Sequence, residues 1–182
     1  MDTKNPTKIT TGKVRFSYAH VWEPKAVEPG DEPKYSVCLL IPKSEKVTLA
    51  KIKKATAAAL ENGREKFGGK IPKNYKDPLR DGDVDKEDNE EYRDHYFINC
   101  SSKDKPQIVD SQISPILEKD EFYSGCYGRA SVNFYAFNTS GNKGVAVGLK
   151  NLQKIADGER LSGGYSDPED DFAEDFDDDD LL

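Results

Sequence analysis

The residues of this chain best suited to chemistry alternate along two adjoining segments near its C-terminal end. Between Tyr127 and Asn138, Val132, Phe134 and Ala136 fall on one side while Arg129, Ser131, Asn133, Tyr135 and Phe137 fall on the other, the period of a half-buried strand. The run from Asn138 to Gly144 carries the turn chemistry of a hairpin. Beyond it, Val145, Val147 and Leu149 repeat the apolar period, with Ala146, Gly148 and Lys150 on the opposite face. A core accounts for one face of each strand. The other presents two aromatic rings beside the small Ala146 and Gly148, with Arg129, Lys150 and, in the turn, Lys143 as cations. Rings interleaved with cations suit the stacking of bases and the pairing of phosphates, by which single-stranded nucleic acid is held at roughly 1–3 kcal/mol per stacked base. The competing reading is that Tyr135 and Phe137 pack beneath a loop or the N-terminal arm. Lys13 and Arg15, outward on an earlier strand, carry the same two readings. Trp22, at a strand end beside a proline-rich connector, is either a stacking residue or a cap on the core.

Other chemistries find less support. The run Asp81-Gly-Asp-Val-Asp85 lacks the glycine at the sixth loop position and the spacing of an EF-hand, and reads as a solvated acidic loop. Gly69-Lys70 lacks the leading glycine and the hydroxyl residue of a phosphate-binding loop. His20 and His95 are isolated, and no nucleophile elbow or deaminase signature can be assembled. Cys38, Cys100 and Cys126, odd in number and widely spaced, fit reduced, partly buried thiols. No cofactor and no metal are expected.

Positioning such a face requires a β framework. Gly12 to Trp22 alternates with Val14, Phe16 and Tyr18 on the core side and Lys13, Arg15 and Ser17 outward. Lys34 to Ile41 alternates with Tyr35, Val37, Leu39 and Ile41 on its apolar side, and Pro42 ends it. Ser44 offers a helix N-cap, and Leu49, Ile52, Thr56, Ala59, Leu60 and Phe67 share one helical face before Gly68-Gly69. Lys70 to Asp94 has no clear period and reads as a long surface excursion. Strand character returns at His95 to Cys100 and Gln107 to Val109. Five or so strands with one helix, and no alternation of strand and helix, predict a small antiparallel barrel or curved sheet in a single domain. The 10% aromatic content supports a folded body, and the N-terminus has no apolar run that would make a signal peptide or a membrane span.

Charge divides the chain. It carries 27 Lys and Arg against 34 Asp and Glu, a net −7. Ten of those acids and none of the bases follow Leu161, which leaves 27 bases against 24 acids, a net +3, in the rest. A terminal block of like charge stays solvated and serves as an interaction tail, and one opposite in sign to its body can cover the basic surface that the body uses. Phe172, Phe176, Leu181 and Leu182 stand among the carboxylates, Asp177, Asp178, Asp179 and Asp180 included. They read as a segment that also docks onto partner proteins.

The motifs Gly12-Lys-Val-Arg-Phe-Ser-Tyr18, Tyr35-Ser-Val-Cys-Leu-Leu-Ile-Pro42, Pro78-Leu-Arg-Asp-Gly-Asp83, Lys105-Pro-Gln-Ile-Val-Asp110, Tyr123-Ser-Gly-Cys-Tyr127 and Gly144-Val-Ala-Val-Gly-Leu149 occur in that order. In them the chain resembles a family of single-stranded DNA-binding proteins of tailed bacteriophages. The resemblance implies an OB-fold, binding of single-stranded DNA without sequence specificity, and a role in phage replication or recombination. The acidic end resembles those of bacterial and podoviral single-strand binders, although it closes on Leu181-Leu182 instead of an aromatic residue. The combined expectation is an OB-fold-like domain, mainly β with one helix, over 8–160 and a disordered acidic tail over 161–182. It would bind single-stranded DNA and, through the tail, replication or recombination proteins. No enzyme and no membrane association are expected, and the location is the bacterial host cytoplasm. Two rivals stand beside it: an acidic DNA mimic or protein-binding inhibitor, and a metal-dependent nuclease.

Overall fold

The computed structural model describes residues 5–161. Its strands are β1 Lys8–Thr10, β2 Val14–Lys25, β3 Lys34–Pro42, β4 Arg80–Asp81, β5 His95–Ser102, β6 Gln107–Val109, β7 Tyr127–Thr139 and β8 Asn142–Ala156, with helices α1 Lys46–Asn62 and α2 Gly82–Asp85. Five long strands close a ring: β7 pairs β2, β2 pairs β3, β3 pairs β5, β5 pairs β8 and β8 pairs β7. Every contact is antiparallel except β5 with β8, which join in parallel at Ser101 and Gly148. This is the five-stranded OB barrel, closed through one parallel pair where an entirely antiparallel barrel is expected from the sequence.

The alternating residues of these strands fill the interior, Val14, Phe16, Val37, Leu39, Ile98, Val132, Phe134, Val147 and Leu149 all being buried. Helix α1 lays Leu49, Ile52, Ala55, Ala59 and Leu60 on the same core. It ends at Asn62, short of the predicted Phe67, because Gly63 passes directly against β7 and a Cβ there would collide with the Ala136 side chain. Arg64–Phe67 forms a single 3-10 turn instead. The predicted cap also fails: the turn from Pro42 places Glu45 at the helix boundary, and no side chain caps it.

Two strands depart from their sequence patterns. In β2 the register against β3 advances three residues from Ser17 to His20 while β3 advances two, from Cys38 to Ser36. This one-residue bulge puts Tyr18 at φ 47, burying Ser17 and turning Tyr18 out of the core side expected for it. Strand β3 is buried on both faces. Opposite Val37, Leu39 and Ile41, its Cys38 and Leu40 meet Tyr92 and Phe97 in a second small core. Tyr92 is thereby the anchor of the excursion between residues 70 and 94, which also contributes β4 and α2. All three cysteines are free and buried, as expected. Among the described residues no helix is long and apolar enough to cross a membrane.

Candidate nucleic-acid interface

The pairing registers place one outward residue from each barrel strand in a transverse line. Asn133 of β7 stands beside Gly148 of β8, Gly148 beside Ser101 of β5, Ser101 beside Ser36 of β3, and Ser36 beside His20 of β2. All five are partly exposed, and at strand spacings near 4.8 Å the line runs about 19 Å across the barrel. Lys8 of β1 extends it beyond Asn133. The residues are small or polar, so the surface is a shallow floor. An aromatic ring stands at each side: Tyr135, 44% exposed, on β7 and Tyr18, 52% exposed, at the β2 bulge. Tyr135 Cε1 comes within 3.7 Å of where a Cβ on Gly148 would sit, ordinary contact distance, so the ring stands directly beside the floor at Gly148.

Strand alternation correctly assigns the outward faces of β7 and β8. Lys150 is exposed where the β7–β8 register slips between Ser131 and Val132. Phe137 is half-buried opposite Gly144, and Tyr135 and Phe137 line a shallow depression with Lys66. Lys143 sits at the hairpin, its carbonyl accepting from the Lys76 amide. Arg129 donates from Nε to the Thr11 carbonyl at 2.9 Å and lines a groove of about 250 Å³ with Asn151 and Gln153.

Three predicted residues lie apart from this floor. Lys13 and Arg15 stack over Tyr127, 5.1 and 5.4 Å from the ring centroid, at the seam of β2 and β7. Arg15 is committed to structure there, donating to the carbonyls of Gly125 and Glu159. Lys154 and Arg160 lie over the neighbouring Tyr123, so the described chain ends in a second cluster of cations and rings. Trp22 packs against the core and donates from Nε1 to the Phe122 carbonyl at 3.0 Å. The tail candidates Phe172, Phe176, Asp177, Asp178, Asp179, Asp180, Leu181 and Leu182 lie outside the described residues.

Sequence reasoning missed Tyr18, His20 and Lys8. His20 titrates below its usual 6.5 because it is partly buried and faces Lys25. A bulge closed by tyrosine in place of glycine leaves no local signal, and the transverse line depends on register alone.

The acidic run is not free to gather a cation. Asp81 and Asp83 pair with Lys43 at 2.9 and 2.7 Å, and Asp85 pairs with Arg80 at 3.1 Å. The hydrogen bond from Lys43 holds the Asp83 carboxyl below the usual range, and the same contacts push Lys43 up. Among the described residues no group of three or more His, Cys, Asp or Glu side chains is placed to hold a metal ion.

The family model described as the single-stranded DNA-binding protein of Enterobacter phage Enc34 matches residues 7–182. A protein designated p50, from Acyrthosiphon pisum secondary endosymbiont phage 1, is 34% identical over 167 residues, covering 86% of this chain and 88% of the relative. The fold is similar to that of the single-stranded DNA-binding protein from bacteriophage Enc34 in complex with single-stranded DNA. There the TM-score is 0.77 at 24% identity, over 86% of this chain and 90% of the other. It is also similar to gp2.5, a single-stranded DNA-binding protein encoded by bacteriophage T7, with TM-score 0.61 at 17% identity over 94% and 95% of the two chains.

Proposed function

The chain belongs to the family of the Enterobacter phage Enc34 single-stranded DNA-binding protein, and we propose that the floor between Tyr18 and Tyr135 is where it holds single-stranded DNA. The protein binds single strands during phage DNA replication and recombination, in the host cytoplasm, and acts by coating, without cleaving. The observation that carries the site is the transverse line from Asn133 to His20. Its small residues admit a strand crossing the barrel, and the two rings beside it offer faces to any base, which gives affinity without sequence readout. Lys8, Lys143 and Lys150 supply phosphate partners around it. Arg129 and Phe137 extend the surface along the β7–β8 hairpin, while Lys13 at the β2–β7 seam, beside the structurally held Arg15, marks a separate cationic patch along which the strand continues.

The tail completes the reading. Ten carboxylates tethered to a body of net +3 compete for the cationic surface at an effective concentration on the order of millimolar, and the same segment docks partner proteins of replication. Titration of labelled oligonucleotides at two salt concentrations tests the function: tighter binding to single strands than to duplex of equal length supports it, and equal or tighter duplex binding by the intact protein refutes it.

A further inference from the structure

The groove of about 250 Å³ that Arg129 lines lies one step along the β7–β8 hairpin from the floor. Pairing sets a second transverse line there: Thr10 of β1 stands beside Ser131 of β7, Ser131 beside Asn151 of β8, and Asn151 beside Gln107 of β6. Ser131 is two residues from Asn133 of the first line, about 7 Å along the strand, and Lys150 stands at the register slip between the two lines. The polar groups of the groove are uncommitted. Among the described residues neither the Asn151 nor the Gln107 side chain makes a hydrogen bond, and Arg129 uses only Nε, toward the Thr11 carbonyl, which leaves both terminal nitrogens available. At the rim stands Ile113, 74% exposed and at φ 64, a conformation costly for a β-branched residue. Its turn is fixed from two sides. The Asp110 carboxylate accepts from the Gln112 and Ser114 amides at 2.9 Å, and Gln153 Nε2 donates from β8 to the Asp110 carbonyl at 3.2 Å. Core packing gains nothing from an isoleucine held out in solvent, so the strained turn serves the groove.

We propose that this groove is a subsite for one nucleobase of the bound strand, with a preference for adenine. The inference rests on the floor as the single-strand site and names what the groove beside it reads. A base offers a flat apolar face and an edge of donors and acceptors. Ile113 and Val109 suit the face, and the carboxamides of Asn151 and Gln107 suit the edge. A carboxamide carries a donor and an acceptor side by side, the complement of the 6-amino group of adenine and its neighbouring ring nitrogen. Arg129 and Lys150 are placed for the phosphates on either side. A peptide backbone would also pair with the carboxamides, but the flanking cations and the continuity with the floor favour a nucleotide. The rings over the floor read no base, so the preference is confined to one nucleotide of the site.

The test is a labelled oligothymidylate of the shortest length that binds fully, with a single deoxyadenosine walked through every position and affinity read by anisotropy on the full-length protein. Affinity should rise about fivefold or more at one position, and the rise should vanish when a purine lacking the 6-amino group replaces adenine there. The readout is the ratio of the substituted to the plain oligonucleotide, and Asn151→Ala/Gln107→Ala should bring it to one. Ile113→Gly, which relieves the left-handed backbone, should raise the melting temperature and still reduce the ratio. A ratio that survives in the double carboxamide variant would overturn the proposal, since the groove would then be a contact to the backbone of the strand alone. Uniform affinity at every position in wild type would also overturn it. A loss of affinity in Tyr18→Ala/Tyr135→Ala beside that uniform result would leave the floor standing without the groove.

Discussion

At the scale of single residues, the interface rests on what is missing as much as on what is present. A Cβ at Gly148 would only touch the Tyr135 ring, so Gly148→Ala should leave single-strand binding near wild type, whereas the γ-methyls of Gly148→Val should crowd the ring and weaken binding while the melting temperature stays near wild type. Oligonucleotide anisotropy beside a thermal melt checks both. Lys150 is exposed and predicted to meet one phosphate. Lys150→Ala should lower the slope of log affinity against log salt by about 0.7, the value for one contact on a single strand. His20 has a pH signature. Burial and Lys25 hold its pKa below 6.5, so it is neutral at pH 7. Nearby phosphates favour its cation, so binding should tighten as pH falls through that depressed value, and His20→Asn should abolish this part of the pH dependence. For the free fold the sign is opposite: a depressed folded pKa contributes stability that is present above 6.5 and lost as pH falls through the folded value.

At the scale of elements, the β7–β8 hairpin carries most of what could be read in advance, because its alternation runs without a break through Tyr127–Phe137 and Val145–Lys150 and its turn is local. Ser140 and Gly141 both have positive φ, 51 and 87, the two-residue turn that matches strand twist. Gly141→Ala should therefore cost about 1–2 kcal/mol in denaturant unfolding. What could not be read is what depends on distant partners. The Tyr18 bulge is set by register against β3, and the stop of α1 at Gly63 is set by the approach of Ala136. The excursion over residues 70–94 lacks any period of its own, yet it is pinned by Tyr92 against Cys38, Leu40 and Phe97. Burial there pushes the Cys38 thiol up to about 11. Tyr92→Ala should cost about 3–5 kcal/mol through the cavity it leaves, with amide exchange accelerated across 80–94 before the barrel strands.

At the scale of the whole molecule, the barrel supplies a basic surface and the terminal segment supplies its opposite. The charge division was legible from composition, and the barrel from strand periods. The location of the binding floor was not, because five residues from five strands meet only through the closed register. Ending the chain after Ser162 should tighten single-strand binding, most at low salt where charge is least screened, and admit duplex that the intact protein disfavours. Unchanged affinity at both salt concentrations would leave the tail with docking alone. The central claim is that the two outward tyrosines hold bases over the transverse line. Its most direct test is the affinity of Tyr18→Ala/Tyr135→Ala for a labelled single strand, measured beside its melting temperature. The account predicts binding weaker by about 30-fold or more, from at least ~1 kcal/mol per lost stack, with an unchanged salt slope and an intact fold. Wild-type affinity in a folded double variant would contradict it and move the DNA to another face of the barrel.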